Sequence, residues 1–392
     1  MNRRDFLKSA GAGAGILALG SNTEALAAAT NHNLKTKHII VIMNGNGARK
    51  MEYFERPDTA SEFLRIAKEG TVFTEDHGNH VSNHGYMYTE YLTGNDLSSD
   101  QPMLPTFAHY GRKANGDEAT KYWYVNPVAY YRQWRFNNKY FTSHPDFGID
   151  SRGASINISS IFYEGNKKSP AEIVAKEFPQ DMGLTAKERK QVEEFVGGIL
   201  KNGSYMPAGL KHPLPPRTPL MEEGPTLELV PKILQEFKPR LIVVQQIAHD
   251  TGHGAGGYLR DETGYLEYVK VATTTNELMG RIFDFVKKDP YFSQNTSIIV
   301  RPETGRDDEI NLYGEINHSD GYYYAHRTAS IWWGPDFKKG QVVKDVVSRM
   351  DMCPTLAFMM GADKTLAKGS VRPHMFESHV TGLTPYREVA VY

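Results

Sequence analysis

Hydrophobic and polar positions alternate between two kinds of segment along this chain. Lys37-His38-Ile39-Ile40-Val41-Ile42-Met43 is a short, β-branched apolar run, the pattern of a strand buried on both faces. It stops at Asn44-Gly45-Asn46-Gly47, a turn cluster. Pro57 to Glu69 follows, with Phe63, Ile66 and Ala67 spaced for one helix face. Gly70 stands where a helix C-cap would, and Thr71-Val72-Phe73-Thr74 predicts the next strand. The rhythm returns later. Helices are predicted at Leu227–Phe237, Glu262–Lys288 and Val346–Met360, and strands at Arg240–Ile247, Thr296–Arg301 and Ser330–Trp333. Strand–helix alternation predicts an α/β fold, a three-layer α/β/α sandwich with a mostly parallel central sheet. The domain is expected over residues 36–364, with residues 365–392 as a C-terminal tail. Within it, residues 110–220 are aromatic, proline-rich and irregular. Tyr122–Tyr131 and Lys211–Pro219 read there as insertions that would wall a pocket.

Composition narrows the function classes. The chain has 392 residues, is 40% hydrophobic and carries a formal net charge of −1. That suits a globular protein with a sizeable core and offers no overall basic surface for nucleic acid. Cys353 is the single cysteine, so no internal disulfide forms. The N-terminus carries an address. Asn2-Arg3-Arg4-Asp5-Phe6-Leu7-Lys8 resembles a twin-arginine signal, followed by a weakly apolar run from Ala10 to Gly20 and a small-x-small site near Ala25–Ala28. Residues 1–27 are therefore expected to be a signal peptide cleaved after Ala27, with the twin-arginine export machinery as partner and the periplasm as destination. The apolar run is about half the ~20 residues a membrane span needs, and Leu241–Ile247 is shorter still, so no stable span is expected. Gly45-Asn46-Gly47-Ala48-Arg49-Lys50 lacks the last glycine of a dinucleotide-binding turn.

In open α/β sheets the binding crevice lies outside the carboxyl ends of the strands, and the polar clusters of this sequence fall there. Asn44 follows the first strand, and His249, Asp250 and His253 follow the strand ending at Ile247. Glu303 follows the strand ending at Arg301, with His318 a short loop later. Imidazole and carboxylate at such positions suit zinc or a related divalent ion. Each also has an ordinary reading: a loop histidine that hydrogen-bonds, an aspartate that caps a helix, a Glu303 paired with Arg301 or Arg306.

The order of the clusters is similar to that of the alkaline phosphatase and sulfatase-like superfamily. Ile40-Val41-Ile42-Met43-Asn44-Gly45 and Ala67-Lys68-Glu69-Gly70-Thr71-Val72-Phe73 resemble its opening, and Leu92-Thr93-Gly94 resembles the end of its nucleophile segment. His249-Asp250-Thr251-Gly252-His253 resembles its Asp-x-x-Gly-His metal motif, one residue shorter. Glu303-Thr304-Gly305 stands in place of Asp-His-Gly, and His318-Ser319-Asp320-Gly321-Tyr322 resembles His-Gly-Tyr. The closing Val347-Ser348-Arg349-Met350-Asp351-Met352-Cys353-Pro354-Thr355-Leu356 is similar to the family's last helix. Glu303-Thr304-Gly305-Arg306 also resembles the Glu-x-Gly-Arg motif of an uncharacterised twin-arginine-exported branch.

The resemblance implies a metal-dependent hydrolase or transferase acting on phosphate or sulfate esters of small molecules or glycans, with one or two divalent ions, zinc first and manganese, iron or calcium as alternatives. Carried over by position, Asp250, His253 and His318 with His249 would hold one ion, and Asn44 and Glu303 would belong to a second. Asn44 and Thr304 depart from the family's Asp and His, which weakens that second site. Counting back from Gly94 places His84 at the nucleophile position, with Ser82 the nearest hydroxyl; His84 would serve as nucleophile or ligand. The stretch Asp76–His84 is rich in ligand-type residues and would supply a metal ligand in another reading. Arg306 is a candidate for holding substrate oxygens, or else a salt-bridge partner of Asp307 or Asp308. Neither the proline nor the arginine of a formylglycine motif occurs in Ser82–Tyr91. The alternative is a binding or scaffolding protein that keeps the fold and has lost turnover.

Overall fold

The computed structural model describes residues 32–44, 47–79, 84–96, 104–126, 156–159, 169–177, 184–201, 223–246, 262–307, 316, 318, 323–362 and 365–388. In chain order the strands are β1 (His38–Asn44), β2 (Thr71–His77), β3 (Tyr122–Asn126), β4 (Ile156–Ser159), β5 (Leu241–Gln246), β6 (Thr296–Pro302), β7 (Arg327–Trp333), β8 (Gln341–Val343) and β9 (Val347–Ser348). The helices are α1 (Pro57–Lys68), α2 (His84–Thr93), α3 (Phe107–Asn115), α4 (Pro170–Glu177), α5 (Ala186–Lys201), α6 (Glu223–Phe237), α7 (Glu262–Lys288), α8 (Tyr323–His326) and α9 (Met352–Met359). Among the described residues the nine strands form one sheet in the order β4-β3-β5-β1-β6-β7-β2-β8, with β9 beside β2. Only β7 runs against its neighbours β6 and β2; the other pairings are parallel. The predicted mostly parallel α/β sheet is therefore present, and β1, β2, β5 and β6 end at a common edge.

Strict alternation sends neighbouring side chains to opposite faces of the sheet. Ile39, Val41, Met43, Leu241, Val243 and Ile299 pack with Tyr88 and Tyr91 of α2, Phe107 of α3 and Leu356 of α9. Ile40, Ile42, Val244, Ile298 and Val300 pack with Phe63 of α1, Val192 of α5, Ile233 of α6 and Leu278 of α7. Two apolar faces explain the unbroken Ile/Val runs of β1, β5 and β6. Among the described residues no helix is long and apolar enough to cross a membrane.

Two stretches differ from the sequence-based expectation. Tyr122–Asn126 is a buried strand, registered Trp123 to Ile242 of β5 and to Ile156 of β4, and not part of an insertion. Its aromatic side chains mask the strand pattern: Trp123 fills the core against Phe195 and Phe237. The segment expected as a C-terminal tail packs into the domain, with Arg372, Met375 and Phe376 buried.

Arg372 completes a buried ionic clasp. Asp76 of β2 accepts from Arg301 of β6 at 3.0 Å and from Arg372 at 2.8 Å, and Ser330 Oγ of β7 donates to it at 2.9 Å. A register shift between Phe73 and Asp76 lets both face Arg372, whose guanidinium also lies over the Phe73 and Trp332 rings. Burial alone would raise the Asp76 pKa. Arg301 and Arg372 outweigh that and hold the carboxyl well below the usual carboxylate range.

Asp76→Asn is expected to cost about 3–5 kcal/mol at neutral pH, because two buried guanidiniums lose their carboxylate. The native pKa is depressed, so this contribution is complete above the ordinary aspartate value of about 4 and fades as pH falls through the lower native one. Denaturant melts of both proteins between neutral and acid pH check this. A gap that does not shrink on acidification would overturn it.

Candidate functional site

The carboxyl edge of β1, β5 and β6 gathers polar side chains. Asn44 closes β1 and stands in register between Gln246, the last residue of β5, and Pro302, the last of β6. The Glu303 N–H donates to the Asn44 carbonyl at 2.7 Å, and the Ala48 N–H to the Thr304 carbonyl at 3.0 Å. These bonds lace the loop after β1 to the loop after β6. Gly47 is what allows the close fit. Its φ is +82°, and a Cβ there would fall 2.6 Å from His318 Cβ and 3.0 Å from Arg306 Nε.

Arg306 holds this corner together. Its Nε donates to the Gly47 carbonyl at 3.0 Å, Nη1 donates to the Ile316 carbonyl at 3.0 Å, and the guanidinium lies 5.4 Å from the Tyr268 ring centre. Tyr268 comes from α7, and its hydroxyl accepts the Arg49 N–H at 2.8 Å. Burial raises the Tyr268 pKa, so the phenol stays neutral. His318, also buried, sits two residues beyond Ile316 in the space that Gly47 leaves.

Asn44 Oδ1 and Nδ2, Gln246 Oε1 and Nε2, and Thr304 Oγ1 are buried and have no hydrogen-bond partner among the described residues. A buried polar group without a partner costs about 1–3 kcal/mol, and native proteins hold few of them. Three such side chains on adjacent strand ends offer donors and acceptors to a ligand at this edge.

Asn44, Glu303, Arg306 and His318 are thus brought to one corner. His84 opens α2, and its side chain lies outside the described residues. Ser82, His249, Asp250 and His253 also lie outside them. The ligand-rich stretch after Phe73 resolves differently from the metal reading where it is described. Asp76 belongs to the clasp, His77 Nε2 lies 3.1 Å from Glu75, and Asn79 donates its N–H to Glu90 at 3.1 Å. Gln246 is foreshadowed in the sequence only by the polar end of an apolar strand, and Glu90 and Arg349 have no local signal.

Among the described residues no group of three or more His, Cys, Asp or Glu is placed to hold a metal ion. At the corner expected for a second ion, Glu303 stands with the neutral amides of Asn44 and Gln246, and Arg301 donates to the Pro302 carbonyl at 2.6 Å. Amide oxygens bind a divalent cation more weakly than carboxylates do, because they carry no charge. His318 is of a residue type that suits a zinc-like ion.

No family model matches the chain, and no curated protein matches it. Solved structures share its fold. The phosphonate monoester hydrolase SpPMH from Silicibacter pomeroyi superposes with a TM-score of 0.54 at 13% identity, covering 89% of this chain and 78% of that one. The PsFucS1 sulfatase from Pseudoalteromonas sp. gives 0.52 at 12% identity, covering 91% and 75%. The fold is alkaline-phosphatase-like.

Asn44→Leu removes two unpartnered polar atoms at nearly constant volume. It is expected to leave stability unchanged or raise it by about 1–2 kcal/mol, a rise in Tm of about 2–4 °C per kcal/mol or less for a domain this large. A clear fall in Tm in ligand-free buffer would show that Asn44 is held by the protein itself.

Proposed function

We propose that this protein is an exported, metal-dependent hydrolase or transferase acting on phosphate or sulfate esters, working with one divalent ion. The observation that carries this reading is the set of buried polar groups without hydrogen-bond partners among the described residues, Asn44, Gln246 and Thr304, at the carboxyl edge of a sheet whose fold is shared with a phosphonate monoester hydrolase and a sulfatase. Those relatives act on tetrahedral phosphorus and sulfur centres by name, and the same edge here bears Glu303, His318 and Arg306.

His249, Asp250, His253 and His318 would hold the ion, with zinc the first choice for a His/carboxylate set. Bound there, it would lower the pKa of a coordinated nucleophile and offset charge on the ester oxygens. The remaining work falls to the chain. The amides of Asn44 and Gln246 orient the substrate through donors that the fold leaves uncommitted. Glu303, tied to β1 through its backbone, stands at the same edge as a candidate ligand. Arg306, with two nitrogens committed to carbonyls, positions Gly47 and the segment leading to His318. The nucleophile is Ser82 or His84.

A second reading rests on one observation. Asn44 and Thr304 are neutral where the resembled family carries charged or imidazole ligands, so the same corner would bind an ester or free oxyanion without turning it over. Twin-arginine export to the periplasm, cleavage after Ala27 and a small-molecule or glycan ester substrate complete the proposal.

Protein isolated from a periplasmic extract should contain about one equivalent of divalent metal and hydrolyse an aryl phosphate or aryl sulfate. His253→Ala should lose the metal and at least ~100-fold in turnover, since even the partners of metal ligands are worth 10–100-fold. A folded, metal-free protein that stays inert after reconstitution would leave the binding reading in front. Export is checked separately. Arg3→Lys with Arg4→Lys should retain the uncleaved chain in the cytoplasm, and normal processing of that variant would remove the twin-arginine assignment.

A further inference from the structure

Arg349 is a buried cation whose guanidinium makes no hydrogen bond among the described residues. It opens the Arg349–Asp351 turn directly after β9. Because β9 runs parallel to the end of β2, pairing Val347 with Asp76 and Ser348 with His77, Arg349 stands at the carboxyl edge that also carries Glu303. Its side chain is buried, yet Nε, Nη1 and Nη2 have no hydrogen-bond partner among the described residues. The nearest opposite charge in an ion pair is Glu90 Oε2 of α2, at 3.5 Å, and that oxygen already accepts the Asn79 N–H.

The two arginines beside it are different. Arg301 and Arg372 share Asp76, and each also donates to a backbone carbonyl, Arg301 to Pro302 and Arg372 to Ser348. Asp76 is therefore neutralised by two cations, which leaves Arg349 with donors uncommitted. Room for its guanidinium comes from a missing side chain: a Cβ on Gly78 would lie 1.9 Å from Nη2. Burial pushes the Arg349 pKa down to about 10, partly offset by Glu90, Asp76 and Glu303, so the group is still charged at neutral pH.

A charged fork of five N–H groups costs a folded protein several kcal/mol to bury unless something accepts from it. Its planar geometry matches two oxygens of a tetrahedral oxyanion. We infer that Arg349 binds the phosphate or sulfate oxygens of the ligand beside Gly78 at this edge, through the three guanidinium nitrogens that the described residues leave without hydrogen bonds. The identity of the ligand as an ester rests on the hydrolase reading; oxyanion binding by Arg349 does not.

The test uses the mature protein with inorganic phosphate and, separately, inorganic sulfate, titrated calorimetrically and by thermal shift at constant ionic strength in chloride. Two variants accompany it. Arg349→Lys keeps the charge and removes the fork. Arg349→Met combined with Glu90→Gln removes both members of the pair, so that neither charge is left buried alone. The wild type should bind at least one of the two anions with a rise in Tm. Both variants should match its circular dichroism, and the double variant should melt no lower in chloride alone. Affinity for the anion should fall about tenfold or more in each, the loss of roughly one charge-assisted hydrogen bond.

Variants that keep wild-type anion affinity, or a wild type that binds neither anion, would overturn the inference. The two proposals separate cleanly. Ester turnover with an unchanged KM in both variants removes Arg349 and leaves the hydrolase. Arg349-dependent anion binding without turnover removes the hydrolase and leaves Arg349.

Discussion

One carboxylate organises the working edge of this protein. Asp76 sits fully buried on β2, and the two guanidiniums that neutralise it come from β6 and from the C-terminal segment. A buried ion pair adds stability only when its charges and hydrogen-bonding groups are met, and loss of one member is costly. Here one further donor of each arginine reaches outward. Arg301 fixes the Pro302 carbonyl, immediately before Glu303, and Arg372 fixes the Ser348 carbonyl, immediately before Arg349. The clasp therefore fixes both backbone segments at once.

The crevice that results is electrostatically lopsided. On the β1–β5 side the edge is neutral, formed by the amides of Asn44 and Gln246. On the β2–α2 side it is charged, with Arg349, Glu90 and Arg301. Arg301 lies 5.9 Å from the centre of the Tyr91 ring. Burial raises the Tyr91 pKa and keeps that phenol neutral. The charged side is balanced within itself, Arg301 by Asp76 and Arg349 by Glu90, whereas the amides of the other side carry no charge to balance.

Much of this architecture is legible in the amino-acid sequence. Apolar β-branched runs mark β1, β5 and β6 because those strands are buried on both faces, and a polar residue at the end of β1 and β5 and just after β6 marks their carboxyl edge. Aromatic β3 is not legible, since Tyr122-Trp123-Tyr124 carries neither alternation nor branching. Asp76 and His77 resemble ligands because an ionic clasp and a metal site use the same residue types. The clasp's partners lie 225 and 296 residues away in sequence, beyond any local pattern. Arg349 is invisible for a related reason: the feature that singles it out is that its guanidinium lacks hydrogen-bond partners among the described residues, and only three-dimensional packing reveals that. Ser82, His249, Asp250 and His253 lie outside the described residues.

The cost of the site separates ligand binding from mere retention of a fold. Asn44, Gln246 and Thr304 each bury polar atoms without partners among the described residues, and Arg349 buries a charge with none of its nitrogens hydrogen-bonded to them. Each is of a kind that apolar replacement relieves. Proteins sit close above the stability they need, so a chain with nothing to bind at this edge would gain by filling it with leucine and methionine. This sequence keeps amides, a hydroxyl and a guanidinium there. Those groups are what a ligand would use under either reading, hydrolase or binding protein. What divides the two readings is the chemistry of the residues that follow β5 and precede α2, because holding an oxyanion needs only donors, whereas cleaving its ester needs a nucleophile and an activating group.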